Sequence, residues 1–316
     1  MSTAIEEPKN ARQHATSTTD AVIVGAGFSG MYMLHRLRKL GLESRVFDRA
    51  TGVGGTWYWN RYPGARCDIE SMQYSYSFSP ELEQEWNWPE KFSAQPEILE
   101  YANHVADRFD LRRDIEFETS VESAHFDEAT GRWQVKTDRG ETITARYCIM
   151  ATGCLSSARI PDFPGLKDYQ GDTYHTGHWP HEEIDFSGKR VAVIGTGSSA
   201  IQAIPVIAEQ AAHLTVFQRT PNYSIPSRNG PMTDDYAQSW KQDYPAHRAE
   251  ARHTKNGVLA NANEQSAMEV AADERRRIYE ERWRDGGTRF MAAFGDLATN
   301  ADSNETAAEF VREKIR

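Results

Sequence analysis

Between Asp20 and Asp48 the chain reads DAVIVGAGFSGMYMLHRLRKLGLESRVFD, and this stretch decides the fold. An apolar run from Asp20 to Val24 enters Gly25, Gly27 and Gly30, spaced as GxGxxG. Ser29 to Leu40 follows with helical periodicity through Met33, Leu34 and Leu37, and Gly41 stops it. Glu43 to Phe47 reads as a second strand. A strand, helix and strand in about 30 residues is the size of a parallel crossover. Glycines at these places let the backbone approach a pyrophosphate and aim the helix N-terminus at it. Asp48 ends the second strand, where a carboxylate accepts ribose hydroxyls.

A second unit of the same kind begins at Lys189 to Ile194. Gly195, Gly197 and Ala200 make a GxGxxA turn with Ser198 opening the helix, and Leu214 to Phe217 is the closing strand. Pro205 lies inside that helix, where a kink is expected. Gln218, Arg219 and Thr220 stand where Asp48 stands in the first unit, so a cation replaces the anion. A carboxylate repels a 2'-phosphate, whereas a guanidinium binds it as a charge-assisted fork. The reading assigns FAD to the first unit and NADPH to the second. The fold class is therefore α/β, with two dinucleotide-binding, Rossmann-like domains.

Outside these turns, Pro96 to Phe109 reads as a helix with Ile98, Tyr101, Ala102 and Val105 on one face. From Ile115 to Met150 the pattern alternates, with turns at Ala129 to Gly131 and Asp138 to Gly140, which predicts an antiparallel β-meander. Past Pro221 the chain is charged and helical. Ser266 and Glu269 form a capping box before a helix running to about Arg284, with Gly286 and Gly287 as its stop. Ala307, Phe310, Val311 and Ile315 stripe a last helix that continues to Arg316 without a C-cap, which reads as a truncated helical insert. The expected division is a disordered tail at 1–19, an FAD-binding domain at 20–152, an NADPH-binding domain at 153–222 with a linker at 165–181, and a helical insert at 223–316.

Composition narrows the function. The chain has 316 residues and a net charge of -10, which repels nucleic-acid backbones and favours a small-molecule role. No apolar run is long enough for a membrane span or signal peptide, so the reading is cytoplasmic with no membrane partner. Cys67, Cys148 and Cys154 lack CxxC spacing, which argues against a dithiol redox centre. His175, His178 and His181 recur every third residue without an acidic or thiolate partner at a matching interval, so no metal is assigned.

The stretch YQGDTYHTGHWP, with Tyr169, Gly171, His175, Trp179 and Pro180 at these spacings, resembles the fingerprint of type I Baeyer–Villiger monooxygenases. Gly54 to Glu70 (GGTWYWNRYPGARCDIE), Ala151-Thr152-Gly153 and GTGSSAIQ from Gly195 are similar to the same family, nearest its phenylacetone and steroid monooxygenase branch. The family usually begins the fingerprint with Phe, and Tyr169 departs from that while keeping an aromatic ring. The resemblance implies FAD, NADPH and O2, a flavin C4a-peroxide, and conversion of a ketone to an ester or lactone. It makes Gly171, His175 and Trp179 domain-coupling residues, with packing of the linker as the other reading for His175 and Trp179. Asp68 is implied to orient a catalytic arginine, against a plain structural acceptor. In the family that arginine lies past the point matching Arg316, so the chain looks truncated. Arg61 and Arg66 are open between cofactor contact and structural ion pairing. Thr56 and Trp57 are the expected flavin-side contacts, core packing being the default for the Trp57, Tyr58, Trp59 and Tyr62 cluster. The rival activities are oxidation of sulfur or nitrogen by a related flavin monooxygenase, or an inactive fragment.

Overall fold

The computed structural model describes residues 16–254 and 256–316, and resolves two compact units: residues through Arg61 with Ile98–Trp179, and Tyr62–Glu97 with Pro180–Arg316. The tail expected at 1–19 lies outside the described residues up to position 15. From there on the expectation fails, because strand β1 (Thr16–Val24) already begins at Thr16. The cause is pairing. Thr16 to Thr19 run parallel to Thr142 to Ala145, and the Ser17 hydroxyl donates to Glu141 at 2.8 Å.

In the first unit β1 leads into α1 (Phe28–Lys39) and β2 (Ser44–Phe47), the parallel crossover read from the sequence. Met31, Leu34 and Leu37 form the buried stripe of α1, with Met33 only half-buried, so the apolar register starts two residues earlier than expected. A one-turn helix α2 (Thr56–Trp59) follows. Helix α3 (Pro80–Glu85) belongs to the second unit, and α4 (Gln95–Arg108) is the helix expected from periodicity. Ile98, Tyr101, Ala102 and Val105 are all almost fully buried.

Strands β3 (Ile115–Glu116), β4 (Val121–Asp127), β5 (Arg132–Thr137) and β6 (Thr142–Met150) complete a six-stranded sheet ordered β3-β2-β1-β6-β5-β4. Only β4, β5 and β6 form the meander. β3 pairs parallel to β2, and β6 runs parallel to β1, so the hairpins hang from a parallel sheet. The two parts share one core, in which Val22 and Phe47 pack with Val135, Ile143 and Ala145.

In the second unit β7 (Arg190–Ile194), α5 (Ser198–Gln210) and β8 (His213–Phe217) form another parallel crossover, with Pro205 inside a helix that runs on as one element. The helical part comprises α6 (Asp234–Gln242), α7 (Tyr244–Ala251), α8 (Ala272–Asp285), α9 (Thr288–Met291) and α10 (Ala301–Ile315). Its core centres on Tyr279, whose ring lies 5.6, 5.3 and 5.4 Å from Phe290, Phe294 and Phe310. Ser266 caps a short 3-10 turn at Ala267–Glu269 rather than α8 itself, because its hydroxyl is held by Asp296 and accepts from Met268 N. In α10, Ala307, Phe310 and Val311 are buried but Ile315 is exposed, so the stripe ends one turn early. Among the described residues no helix is long and apolar enough to cross a membrane.

Candidate active site

The first glycine turn is packed against its neighbours at all three glycines. Gly25 has φ 107°, and a Cβ there would lie 2.6 Å from Ala151 O at the end of β6. At Gly30 a Cβ would stand 1.8 Å from Gly25 O, so helix and strand approach too closely for any side chain. Gly27 caps α1 with no side-chain cap, which leaves the first backbone N–H groups without a side-chain acceptor, the arrangement that suits an anion. Asp48 is buried, and its two oxygens accept from Ala26 N at 2.6 Å and Ala50 N at 2.8 Å. A carboxylate offers about four acceptor positions, so lone pairs remain for ribose hydroxyls.

A second loop packs on this turn. Gly54 N donates to Ala26 O at 3.1 Å, and at Gly55 (φ 54°) a Cβ would lie 2.8 Å from Gly27 Cα. The contact sets the start of α2, and hence Thr56, beside the turn. Trp57 is buried, whereas Thr56 is half-exposed. The Arg61 guanidinium lies over Tyr58 and donates to Tyr58 O at 3.0 and 2.6 Å.

In the second turn Gly195 has φ 102°, and its N–H donates to Phe217 O at 2.8 Å, as Gly25 N–H donates to Phe47 O at 2.8 Å. Gly197 caps α5, and Ser198 is the helix's first residue. Here nothing lies within 4 Å of a Cβ built on Gly195 or Gly197, so the cradle is open. The shared Gly-to-Phe bond fixes a register that corrects the sequence reading. Gln218, not Arg219, follows the strand where Asp48 does, and Arg219 corresponds to Arg49. The Gln218 amide donates to Thr196 Oγ1 at 2.8 Å. Arg219 and Thr220 are exposed, and Arg219 makes no hydrogen bond or ion pair among the described residues. Both glycine turns therefore share an uncapped helix end approached by backbone that carries no side chain.

Asp68 belongs to the second unit, exposed, with Oδ1 accepting from Gln202 Nε2 at 3.3 Å. Gln202, on α5, also donates to Arg66 O at 3.1 Å and accepts from the Tyr62 hydroxyl at 2.8 Å. At Gly64 (φ 76°) a Cβ would lie 2.3 Å from Gln202 O, so the loop rests directly on α5. Burial raises the Tyr62 phenol above its ordinary range. Arg66 is the structural alternative: it pairs with Glu90 at 2.7 Å and holds that carboxyl below the usual range, with help from Asn229. Sequence reasoning gave Gln202 no role of its own, although an amide between Ile201 and Ala203 in an apolar stretch of that helix was the available signal. It also passed over Glu70, buried two residues after Asp68, which meets Lys91 at 3.3 Å, Arg289 at 3.5 Å and the Tyr236 hydroxyl. Burial first, then Glu70, raises the Tyr236 phenol.

The fingerprint residues are placed by local contacts. A Cβ on Gly171 would fall 2.5 to 2.7 Å from the end of the exposed Tyr169 side chain, which would have to shift. His175 Nδ1 accepts from Gly177 N at 3.1 Å and so caps the turn Thr176–His178. The Trp179 ring lies 5.5 Å from Tyr174. The three cysteines are free thiols.

Residues 22–274 match the family model described as pyridine nucleotide-disulphide oxidoreductase. The chain is 47% identical over 303 residues to a Baeyer-Villiger monooxygenase of Pseudooceanicola batsensis, covering 94% of this chain and 55% of the relative. It is 43% identical over 300 residues to a phenazine N-monooxygenase of Lysobacter antibioticus, with the same coverage of 94% and 55%. Among solved structures, oxidized steroid monooxygenase bound to NADP superposes with a TM-score of 0.91 at 56% identity, over 95% of this chain and 57% of that one. The chain thus spans a little over half the length of the relatives it matches. It belongs to the pyridine nucleotide-disulphide oxidoreductase family, and it is similar in sequence and structure to proteins named as monooxygenases.

Proposed function

We propose that this chain serves an FAD- and NADPH-dependent monooxygenase that inserts oxygen beside a ketone carbonyl, giving an ester or lactone. The observation that carries the reading is the presence, in one chain, of two glycine turns with different closures, one ended by Asp48 and the other by Gln218 and Arg219. Bound FAD and NADPH supply the redox chemistry, with O2 as co-substrate.

The residues divide the remaining work. Gly25, Gly27 and Gly30 admit the FAD pyrophosphate to the α1 N-terminus, and the spare lone pairs of Asp48 accept ribose hydroxyls. Thr56 borders the flavin side of that turn, and Trp57 supports it from the core. Gly195, Gly197 and Ser198 receive the NADPH pyrophosphate, with Arg219 and Thr220 on the 2'-phosphate. The carboxylate of Asp68, held by Gln202, is an anionic partner for a cation that stabilises developing negative charge. Gly171, His175 and Trp179 shape the segment that joins nucleotide handling to that site. Free thiols fit a cytoplasmic setting.

The relative named as a phenazine N-monooxygenase favours a second reading, oxidation of nitrogen or sulfur. Product analysis separates the two. With FAD and NADPH supplied, lactone from a cyclic ketone supports the first reading, whereas sulfoxide or N-oxide with no ester from any ketone overturns it in favour of the second.

A further inference from the structure

The segment 62–75 is fastened from two directions, both inside the second unit. Toward the helical part, the buried Glu70 carboxylate meets Lys91, Arg289 and the Tyr236 hydroxyl. Arg248, on α7, donates to the carbonyls of Met72, Gln73 and Ser75. Toward α5, the hydrogen bonds converge on one side chain. The Gln202 amide oxygen accepts from the Tyr62 hydroxyl at 2.8 Å and from Arg66 N at 3.3 Å, and its nitrogen donates to Arg66 O at 3.1 Å and to Asp68 Oδ1 at 3.3 Å. A primary amide has two donors and two acceptor lone pairs, so all four are used. The bond from Gln202 is the one that the Asp68 carboxylate accepts among the described residues.

Gln202 lies in the opening stretch of α5, between the cap residue Gly197 and Pro205. Pro205 supplies no N–H to Ile201 O, so this stretch is tied to the rest of the helix by one bond fewer. Ser199, in the same stretch, also hydrogen-bonds the Tyr62 phenol. An anion seated on the N–H groups after Gly197 restrains the opening stretch, and through Gln202 it restrains the residues that carry Asp68. Glu70 anchors the chain just beyond Asp68, so Gln202 is the hold that nucleotide occupancy can change. We propose that Gln202 is a positioning residue: a nucleotide on α5 steadies Gln202, and Gln202 steadies Asp68. This rests on the second turn holding NADPH.

Hydrogen exchange read by mass spectrometry on the full 316-residue chain, without and with saturating NADPH, tests it. Peptides covering 62–68 and 195–202 are compared. In wild type NADPH is expected to slow exchange in both, roughly tenfold at 62–68. Gln202→Met, close in volume, is expected to keep the protection at 195–202 and to hold that at 62–68 below about twofold. Should circular dichroism show that Gln202→Met does not fold, Gln202→Glu carries the same test. It keeps both acceptor bonds but sets a second carboxylate beside Asp68, and its protection at 62–68 is expected to drop to about threefold or less. A purely structural Gln202 predicts faster exchange at 62–68 in the variant with the NADPH-induced ratio unchanged, and that result overturns the inference while the NADPH reading stands. Protection of wild type confined to 195–202 overturns it equally. If NADPH protects neither segment of wild type, the NADPH reading falls and takes the inference with it.

Discussion

The two glycine turns repeat one backbone device in two surroundings. At the first, β6 lies beside β1, so Ala151 O closes over Gly25, and the Gly54-Gly55 loop closes over Gly27. At the second, β8 is the only partner of β7 among the described residues, and space around Gly195 and Gly197 stays open. The first two glycines of the motif are therefore packed against neighbours in one turn and free of them in the other. Mutations at matching glycines should separate stability from binding.

The largest effect is expected at Gly30→Ala. Its new Cβ would stand 1.8 Å from Gly25 O, and relief requires parting α1 from β1. A loss of roughly 3 kcal/mol in urea unfolding is expected. The second turn already seats Ala200 at the matching place, so an unchanged midpoint for Gly30→Ala would break the claim that the first turn is the tighter one. Gly197→Ala comes next. No neighbour lies within 4 Å and φ is -73°, so the melting temperature should stay put. NADPH affinity should fall roughly tenfold, about 1.4 kcal/mol, because the methyl sits where the pyrophosphate approaches. A variant that melts early but binds normally would invert the comparison.

The smallest effect concerns acid. In the first sheet Arg45 pairs with Glu141 at 2.6 Å and holds that carboxyl below its ordinary range, whereas no residue of β7 or β8 makes an ion pair among the described residues. A depressed folded-state pKa gives stability that is present above the ordinary carboxylate range and lost as pH falls through the lowered value. Glu141→Gln should therefore lose less stability than wild type on acidification, by less than about 1 kcal/mol given the pair's partial exposure. Equal acid losses in thermal melts of the two proteins would remove the pair as the cause.

Local patterns made both turns and α4 readable from the chain alone, since each depends on spacing within one element. The start of β1 escaped because Thr16 to Thr19 look polar, and only their pairing with Thr142 to Ala145 reveals a strand. Met33 was credited with a place on the apolar stripe that Met31 holds, since the helix's buried side is set by the sheet beneath it. The charge contrast between the turns was visible, and so was its register: Asp48 and Gln218 each follow a phenylalanine at the same distance from the first glycine of their turn. The hydrogen bonds from Gly25 N and Gly195 N to those phenylalanine carbonyls show the same pairing in space. Gln202 was hidden because its partners Tyr62, Arg66 and Asp68 lie more than a hundred residues earlier.

The central claim is that one chain offers two separate nucleotide seats of different selectivity. Calorimetric titration with FAD, and then with NADPH on the FAD-saturated protein, tests it most directly. The account predicts one equivalent of each, with NADPH binding little altered by bound FAD and the protein yellow after gel filtration. Displacement of one nucleotide by the other, or a protein that stays colourless after exposure to FAD, would contradict it.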